Sequence, residues 1–290
     1  MDLWGDGFPE RFAAYCHAVA RYIARESEGT LYFTPVNEPS FMAYTGGEQG
    51  LFAPYGKGCG WELKIALVRA AIAGIDAIRS ACPGARIVNV DPLCRVPEGA
   101  APDLAEEARD FNERLVFQAW DMLAGRLMPE LGGSRAHLDL IGINYYWTNQ
   151  WEWRIALVGG KIPPLADDDP RRLTLSELVR SVWERYGGEL IVSETSHIGD
   201  MRGAWIREVA EEAEKLLLDG VPLRGVCLYP ILGMPEWHEP AIWTPMGLWD
   251  PVCHREPCGD RLVCEPMLEA LRAARHLDAL ASGHLQVAAE

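Results

Sequence analysis

Two glutamates stand at the C-terminal ends of apolar runs that read as β-strands. Glu38 closes Leu31-Tyr32-Phe33-Thr34-Pro35-Val36-Asn37, and Glu194 closes Leu190-Ile191-Val192-Ser193; each is followed by a loop. In a parallel α/β barrel the chemistry sits at the strand C-termini. A pair of carboxyls there suits the cleavage of an acetal: one protonates the leaving oxygen and the other meets the oxocarbenium-like carbon. The two tasks need opposite protonation states at one pH. Neighbouring carboxyls supply that, because both cannot easily ionise together and their pKa values move apart. Taken alone, Asn37-Glu38-Pro39 reads better as a strand-to-loop turn. The second glutamate at another strand end turns the reading toward chemistry.

Helical and strand patterns alternate along the chain and place these residues. Phe12, Cys16, Val19 and Ile23 recur at helical spacing over 9–26, with Pro9 in the opening turn. The strand into Glu38 follows, and 40–60, rich in Gly and aromatics, reads as a long loop. A helix is expected over 61–81, a strand over 86–91, a helix over 103–125 and a strand over 138–146. The stretch 147–172 is loop-like, and Thr174 with Glu177 forms a capping box for a helix to Tyr186. After the strand ending at Glu194 come a helix over 203–219, a strand over 225–230, an aromatic loop over 233–258 and a helix over 260–276. The tail from Ser282 reads as frayed.

Near-continuous apolar strands, each followed by a helix, predict a parallel sheet covered by helices. A doubly wound sheet would be favoured by a glycine-rich phosphate turn, and no G-x-G-x-x-G or P-loop is present. Polar residues instead sit at several strand tips: Asn37 and Glu38, Asp91, Asn144 and Tyr146, and Glu194. That dispersal is the habit of a (β/α)8 TIM-type barrel. No linker or short repeat divides residues 1–290, so the reading is one domain.

Apolar residues make up 49% of the 290 and charged residues 24%, as in an ordinary soluble globular chain. The net charge of −15 argues against nucleic acid or an anionic membrane surface as partner. No apolar run is long enough to span a bilayer, and Met1-Asp2-Leu3-Trp4-Gly5-Asp6 lacks the signal-peptide pattern. The expected location is cytoplasmic, with the eight cysteines mostly thiols. Cys253, Cys258 and Cys264 cluster beside His254, but the spacing matches no common zinc pattern. Free thiols are the plainer reading. His197 and His238 read as polar loop surface, and Asp91 as a cap for the segment after it. Many of the eleven tryptophans, Trp147, Trp237 and Trp249 among them, fall near strand ends. There they serve either as core or as platforms for sugar rings.

Several of these stretches together resemble glycoside hydrolase family 1, the β-glucosidases and 6-phospho-β-glycosidases. Thr34-Pro35-Val36-Asn37-Glu38-Pro39 looks like the family's acid/base motif. Ala43 through Gly47 with Phe52-Ala53-Pro54, and Ile141-Gly142-Ile143-Asn144-Tyr145-Tyr146, are similar to family segments. Val192-Ser193-Glu194-Thr195-Ser196 resembles the nucleophile motif, usually T-E-N-G. Tyr229 through Trp237 aligns without gaps on W-S-L-L-D-N-F-E-W, and Met246-Gly247-Leu248-Trp249-Asp250 follows in place of the family's Phe-Gly-Leu and aspartate.

The resemblance implies a retaining β-glycosidase that works through a glycosyl-enzyme ester and needs no metal or organic cofactor. Glu38 would be the acid/base and Glu194 the nucleophile, with carboxyls about 5 Å apart. Asn37 would bind the sugar 2-hydroxyl, Tyr146 would donate to Glu194, and Asn144 would complete that polar cluster. Glu236 would accept from distal hydroxyls, with Trp237 stacked on the ring.

The chain also departs from the pattern. The family has about three further βα units before the acid/base strand, carrying a His-Trp pair and a Gln that grip the sugar. Here five strong strands are present, too few to close a barrel. The expected architecture is therefore an incomplete (β/α)8 barrel. Its open edge would be covered by something else, a homo-oligomer partner being one solution. Thr195-Ser196 replaces Asn-Gly, Tyr229 replaces Trp, Gly233-Met234-Pro235 replaces Asp-Asn-Phe, and the phosphate-binding signature is absent. The alternative reading is a catalytically weak or inactive carbohydrate-binding remnant, or a truncated gene product.

Overall fold

The computed structural model describes residues 3–98, 102–153, 162–237, 239–252 and 259–281. His238, Cys253, His254, Cys258 and the tail from Ser282 lie outside them. The order of elements is α1 (Gly7–Glu26), β1 (Tyr32–Phe33), α2 (Pro39–Met42), α3 (Gly60–Ala81), β2 (Arg86–Pro92), α4 (Pro102–Glu113), α5 (Gln118–Leu123) and β3 (Leu140–Asn144). Then come α6 (Leu175–Tyr186), β4 (Glu189–Thr195), α7 (Arg202–Leu218) and β5 (Leu223–Leu228). The short strands β6 (Met234–Pro235), β7 (Trp243–Thr244), β8 (Trp249–Pro251) and β9 (Arg261–Val263) precede α8 (Glu265–Ala273) and α9 (His276–Ala281). One five-stranded sheet has the order β1-β2-β3-β4-β5, with β1–β2 and β4–β5 parallel. Neighbours follow chain order with helices between them, which is the winding of an incomplete (β/α)8 barrel.

Two compact units divide the chain inside β3: residues 1–92 with 109–142, and 93–108 with 143–290. In the first, α1 lies on α3 because Gly74 lets Phe12 and Cys16 close in; a Cβ there would meet Cys16 Sγ at 3.0 Å. Ile72, Ile75 and Ile78 of α3 and Ile87, Val88 and Val90 of β2 form its core. In the second, α6 and α7 bury Leu178, Val179, Val182, Val209, Ala213 and Leu216, while Leu190 and Val192 of β4 are wholly buried. The Thr174–Glu177 capping box forms as expected, the Thr174 amide donating to Glu177 Oε2 at 2.7 Å.

Five local expectations are corrected. The strand into Glu38 pairs only at its ends, at Tyr32–Phe33 and through an isolated bridge from Asn37 to Val90, because Pro35 between them has no N–H. Residues 40–60 are not one loop: Pro39 opens α2 and Ala43–Glu48 winds as a π-helix. The helix over 103–125 breaks at Arg114, where the mixed surface of α4 gives way to Val116, Phe117, Ala119, Trp120, Met122 and Leu123, all buried. The final helix begins at Glu265 rather than 260, with Pro266 in its first turn where proline is tolerated; 261–263 instead pair with β8. Within the stretch taken as the 233–258 loop, β6 pairs with β7 antiparallel.

Candidate active site

Glu194 lies one residue before the end of β4, half-buried. The Tyr146 hydroxyl donates to its Oε2 at 2.8 Å. Tyr146 follows β3, and its loop is locked by Asn149, whose Oδ1 accepts from the Tyr146 amide at 3.1 Å. The Asn149 amide group donates in turn to Asn144 O and Leu93 O, each at 3.2 Å. Asn144 is fully buried, and its Oδ1 accepts from the Ser193 hydroxyl at 2.7 Å. Asn144, Tyr146, Ser193 and Glu194 are thus brought together. Alternation along the strand sends Tyr145 the other way, into contact with Gln150 and stacked on Trp205 at 5.6 Å.

Around this cluster the β4 end is tied down. Thr195 accepts from Trp205 Nε1 at 2.8 Å, and the Ser196 hydroxyl donates to Met246 O at 2.6 Å. On β5, partial burial and then the charge of Glu194 push the Cys227 thiol up, which sets the carboxylate near that strand. His197 is not polar surface: it is 7% exposed, its ring 4.5 Å from Trp147 and 5.7 Å from Trp205. The Ile198 amide donates to its Nδ1 at 2.8 Å, and burial holds the imidazole below its usual range.

Glu236 and Trp237 follow β6. The Glu236 amide donates to Ile242 O at 2.8 Å, and the Thr244 hydroxyl approaches its Oε2 at 3.4 Å. Trp237 keeps 63% of its surface exposed. The loop ends on Asp250, whose Oδ2 accepts from Arg202 Nη1 at 2.7 Å.

In the other unit, Glu38 is the residue before α2 and takes a left-handed conformation, φ 49° and ψ 58°. Its amide donates to Val90 O at 3.0 Å, and Asn37 is exposed beside it. Asp91 does not cap the segment after it. Its Oδ1 reaches back to accept from the Ser40 amide at 3.0 Å, capping α2 instead. Burial pushes the Asp91 carboxyl up to about 6, with Ser40 and the Lys64 ammonium pulling it down.

The sequence reading missed Ser193, Asn149 and the Trp147–His197 pair. Asn149 had a local signal, since it stands three residues after Tyr146 as a capping partner does. His197 had none. Among the described residues no cluster of His, Cys, Asp and Glu could hold a metal ion, and no helix is long and apolar enough to cross a membrane.

No protein-family profile and no curated protein matches the chain. Solved structures do. A family 1 β-glucosidase from Thermotoga maritima matches with TM-score 0.72 at 17% identity, over 94% of this chain and 69% of that one. The T. maritima β-glucosidase in complex with glucoimidazole gives 0.71 at 16%, with the same coverage. A hyperthermophilic β-glucosidase mutant that forms a dodecameric structure in the crystal gives 0.71 at 16%, over 93% of this chain and 61% of that one. The chain carries the fold of the family 1 β-glucosidases, as a five-stranded, incomplete (β/α)8 barrel.

Proposed function

We propose that the chain acts on β-glycosides as a retaining glycosidase. The observation that carries this reading is the 2.8 Å hydrogen bond from Tyr146 to Glu194 at a strand end, in a fold shared with solved family 1 β-glucosidases. The Glu38 carboxylic acid gives its proton to the glycosidic oxygen while the Glu194 carboxylate attacks the anomeric carbon, so that the C–O bond breaks and a glycosyl ester forms. The Glu38 carboxylate then takes a proton from water, whose oxygen displaces Glu194 from the same carbon. Tyr146 keeps a donor on Glu194 and orients its carboxylate. Asn37 binds the 2-hydroxyl, Asn144 holds Ser193 beside the nucleophile, Glu236 accepts from distal hydroxyls, and Trp237 offers a ring face to the sugar. No cofactor enters this scheme.

A 2-fluoro glycoside with a good leaving group tests it. Glu194→Gln should lose covalent labelling, because no ester can form without the nucleophile. Glu38→Gln should still be labelled, because an activated leaving group needs no proton. Equal labelling of the Glu194 variant and the parent would sink the assignment.

A second reading, carbohydrate binding with little turnover, draws on the open sheet. Among the described residues β1 pairs only with β2 and β5 only with β4. On this reading the 290-residue chain binds a sugar loosely and admits water, which weakens every contact with the oxocarbenium-like state. Val226, Tyr229, Ile231 and Leu232 are exposed on and just after β5, and a second copy of the chain is the cover we propose for them. Sedimentation of a monodisperse, cooperatively unfolding monomer would count against that cover. Turnover of nitrophenyl β-glycosides above roughly 1 per second, lost in Glu38→Ala, would count against weak catalysis.

A further inference from the structure

β2 ends in Val90-Asp91-Pro92, and two acceptors near its end go to the turn that carries Glu38. Val90 O takes the Glu38 amide at 3.0 Å, and Asp91 Oδ1 takes the Ser40 amide at 3.0 Å. Pro39 between them has no N–H to give. The α2 turn then closes on itself, the Met42 amide donating to Glu38 O at 2.9 Å. Glu38 is held left-handed at φ 49°, a conformation that residues with a Cβ adopt only when their surroundings enforce it. The two β2 acceptors are that enforcement on its N-terminal side and just beyond it.

Asp91 is an odd residue to find there if its task were only to fill space. It is wholly buried, and its Oδ2 and the Ser40 Oγ beside it make no hydrogen bond of ordinary geometry. A carboxyl in such a place is costly unless something is gained from it. The groups that face it are Ser40 of α2 and Lys64 of α3, whose ammonium donates to Gln118 of α5 at 2.8 Å.

We propose that Asp91 is a positioning residue for Glu38: through the Ser40 amide its carboxylate holds the left-handed turn, and the charge on Asp91 sets how firmly the turn is held. The functional half of this rests on Glu38 being the acid/base. An ionised carboxylate is a stronger acceptor for an amide than a neutral acid. Asp91 changes charge at about 6, so the turn is firm above that pH and loosens below it. The acid/base carboxyl then loses its aim over the range in which it must carry a proton.

Amide hydrogen exchange of the full chain, corrected for the intrinsic rate at each pH, tests the link without activity. Relative to Ile72 inside α3, which reports global opening, protection at Ser40 and Met42 should rise several-fold between pH 5 and 7 in the parent. Asp91→Asn keeps an acceptor and removes the titration, so protection should remain and its pH dependence vanish. Asp91→Leu should lower protection at both amides by about tenfold, the loss expected for a hydrogen bond to a charged acceptor. Parent-like protection in Asp91→Leu, or the same pH dependence in Asp91→Asn, overturns the proposal. With aryl β-glycosides, Asp91→Leu should lower kcat more for poor leaving groups than for good ones, because only the former need the Glu38 proton. Exchange as expected in a chain that turns over no glycoside would remove the catalytic reading of Glu38 and leave the positional link. Turnover with exchange indifferent to Asp91 would remove the link alone.

Discussion

The Tyr146 hydroxyl and the Glu194 carboxylate meet at 2.8 Å across two strand ends, 48 positions apart in the chain. Each is held from behind: Tyr146 by Asn149, and Ser193 next to Glu194 by the buried Asn144. Both partners are thus ordered by contacts within the fold itself, so the hydrogen bond is preorganised.

Tyr146→Phe removes one donor to the carboxylate and leaves the ring in place. A hydrogen bond to a charged group is worth roughly 1.5–3 kcal/mol, so kcat/KM on an aryl β-glycoside should fall by about ten- to a hundredfold. The thermal midpoint should move little. Steady-state kinetics beside a melting curve check both, and an unchanged kcat/KM would show that the contact does not serve the chemistry.

Trp237 keeps most of its surface, 63%, exposed. Trp237→Ala should leave stability within about 0.5 kcal/mol, as for surface changes in general. On a β-glycoside it should raise KM with a smaller effect on kcat, since a stacking face binds ground state and transition state alike. A large drop in midpoint would mean that the ring is structural.

Arg202 and Asp250 form a largely enclosed pair, their side chains 10% and 18% exposed. Arg202 also donates to Gly247 O at 2.6 Å and, from Nε, to Gly199 O at 2.8 Å. Gly233 has no side chain because a Cβ would run into Asp250 Oδ1. Asp250→Ala leaves the guanidinium buried without its counter-charge and should cost about 3–5 kcal/mol in denaturant unfolding. Asp110→Ala, which breaks the solvent-exposed pair with Arg114 on the helix surface, should cost little. Similar losses in the two variants would contradict the burial argument.

Stability should depend on pH through two groups of opposite sign. Asp91 has its carboxyl raised from 3.8 to about 6, so the folded chain keeps a proton that the unfolded chain has released. Its contribution is therefore lost as pH rises through that window, by at most on the order of 3 kcal/mol. Asp91→Asn should gain on the parent from pH 4 to 7. Burial lowers His197, which Asp167 and Arg172 also face, so the unfolded chain takes up the proton first. That contribution is present above 6.5 and lost as pH falls below it. His197→Phe should flatten the decline from pH 7 to 5.5. Parallel pH curves for either variant and the parent would show that the group named does not titrate on unfolding.

The order of strands and helices was legible in the sequence because apolar period, capping residues and proline are local signals. The Thr174–Glu177 box needs only three positions to be recognised, and it forms. The strands that end near Glu38, Asn144 and Glu194 are announced by their own apolar runs. The approach of Tyr146 to Glu194 was expected from family resemblance, and the sequence had no local means of showing it. What tertiary structure alone decided lies where distant residues meet. Ser40 and Asp91 are 51 positions apart, so nothing near Pro39 could reveal that a carboxyl on β2 would cap a helix there and turn a predicted loop into α2. His197 was read as surface because a lone histidine in a loop usually is, yet rings from Trp147 and Trp205 enclose it. The helix expected over 103–125 broke because burial on every side of 116–123 outweighs a continuous helical pattern. Local sequence dictates what each segment prefers, and long-range packing decides which preference survives and which side chains share a site.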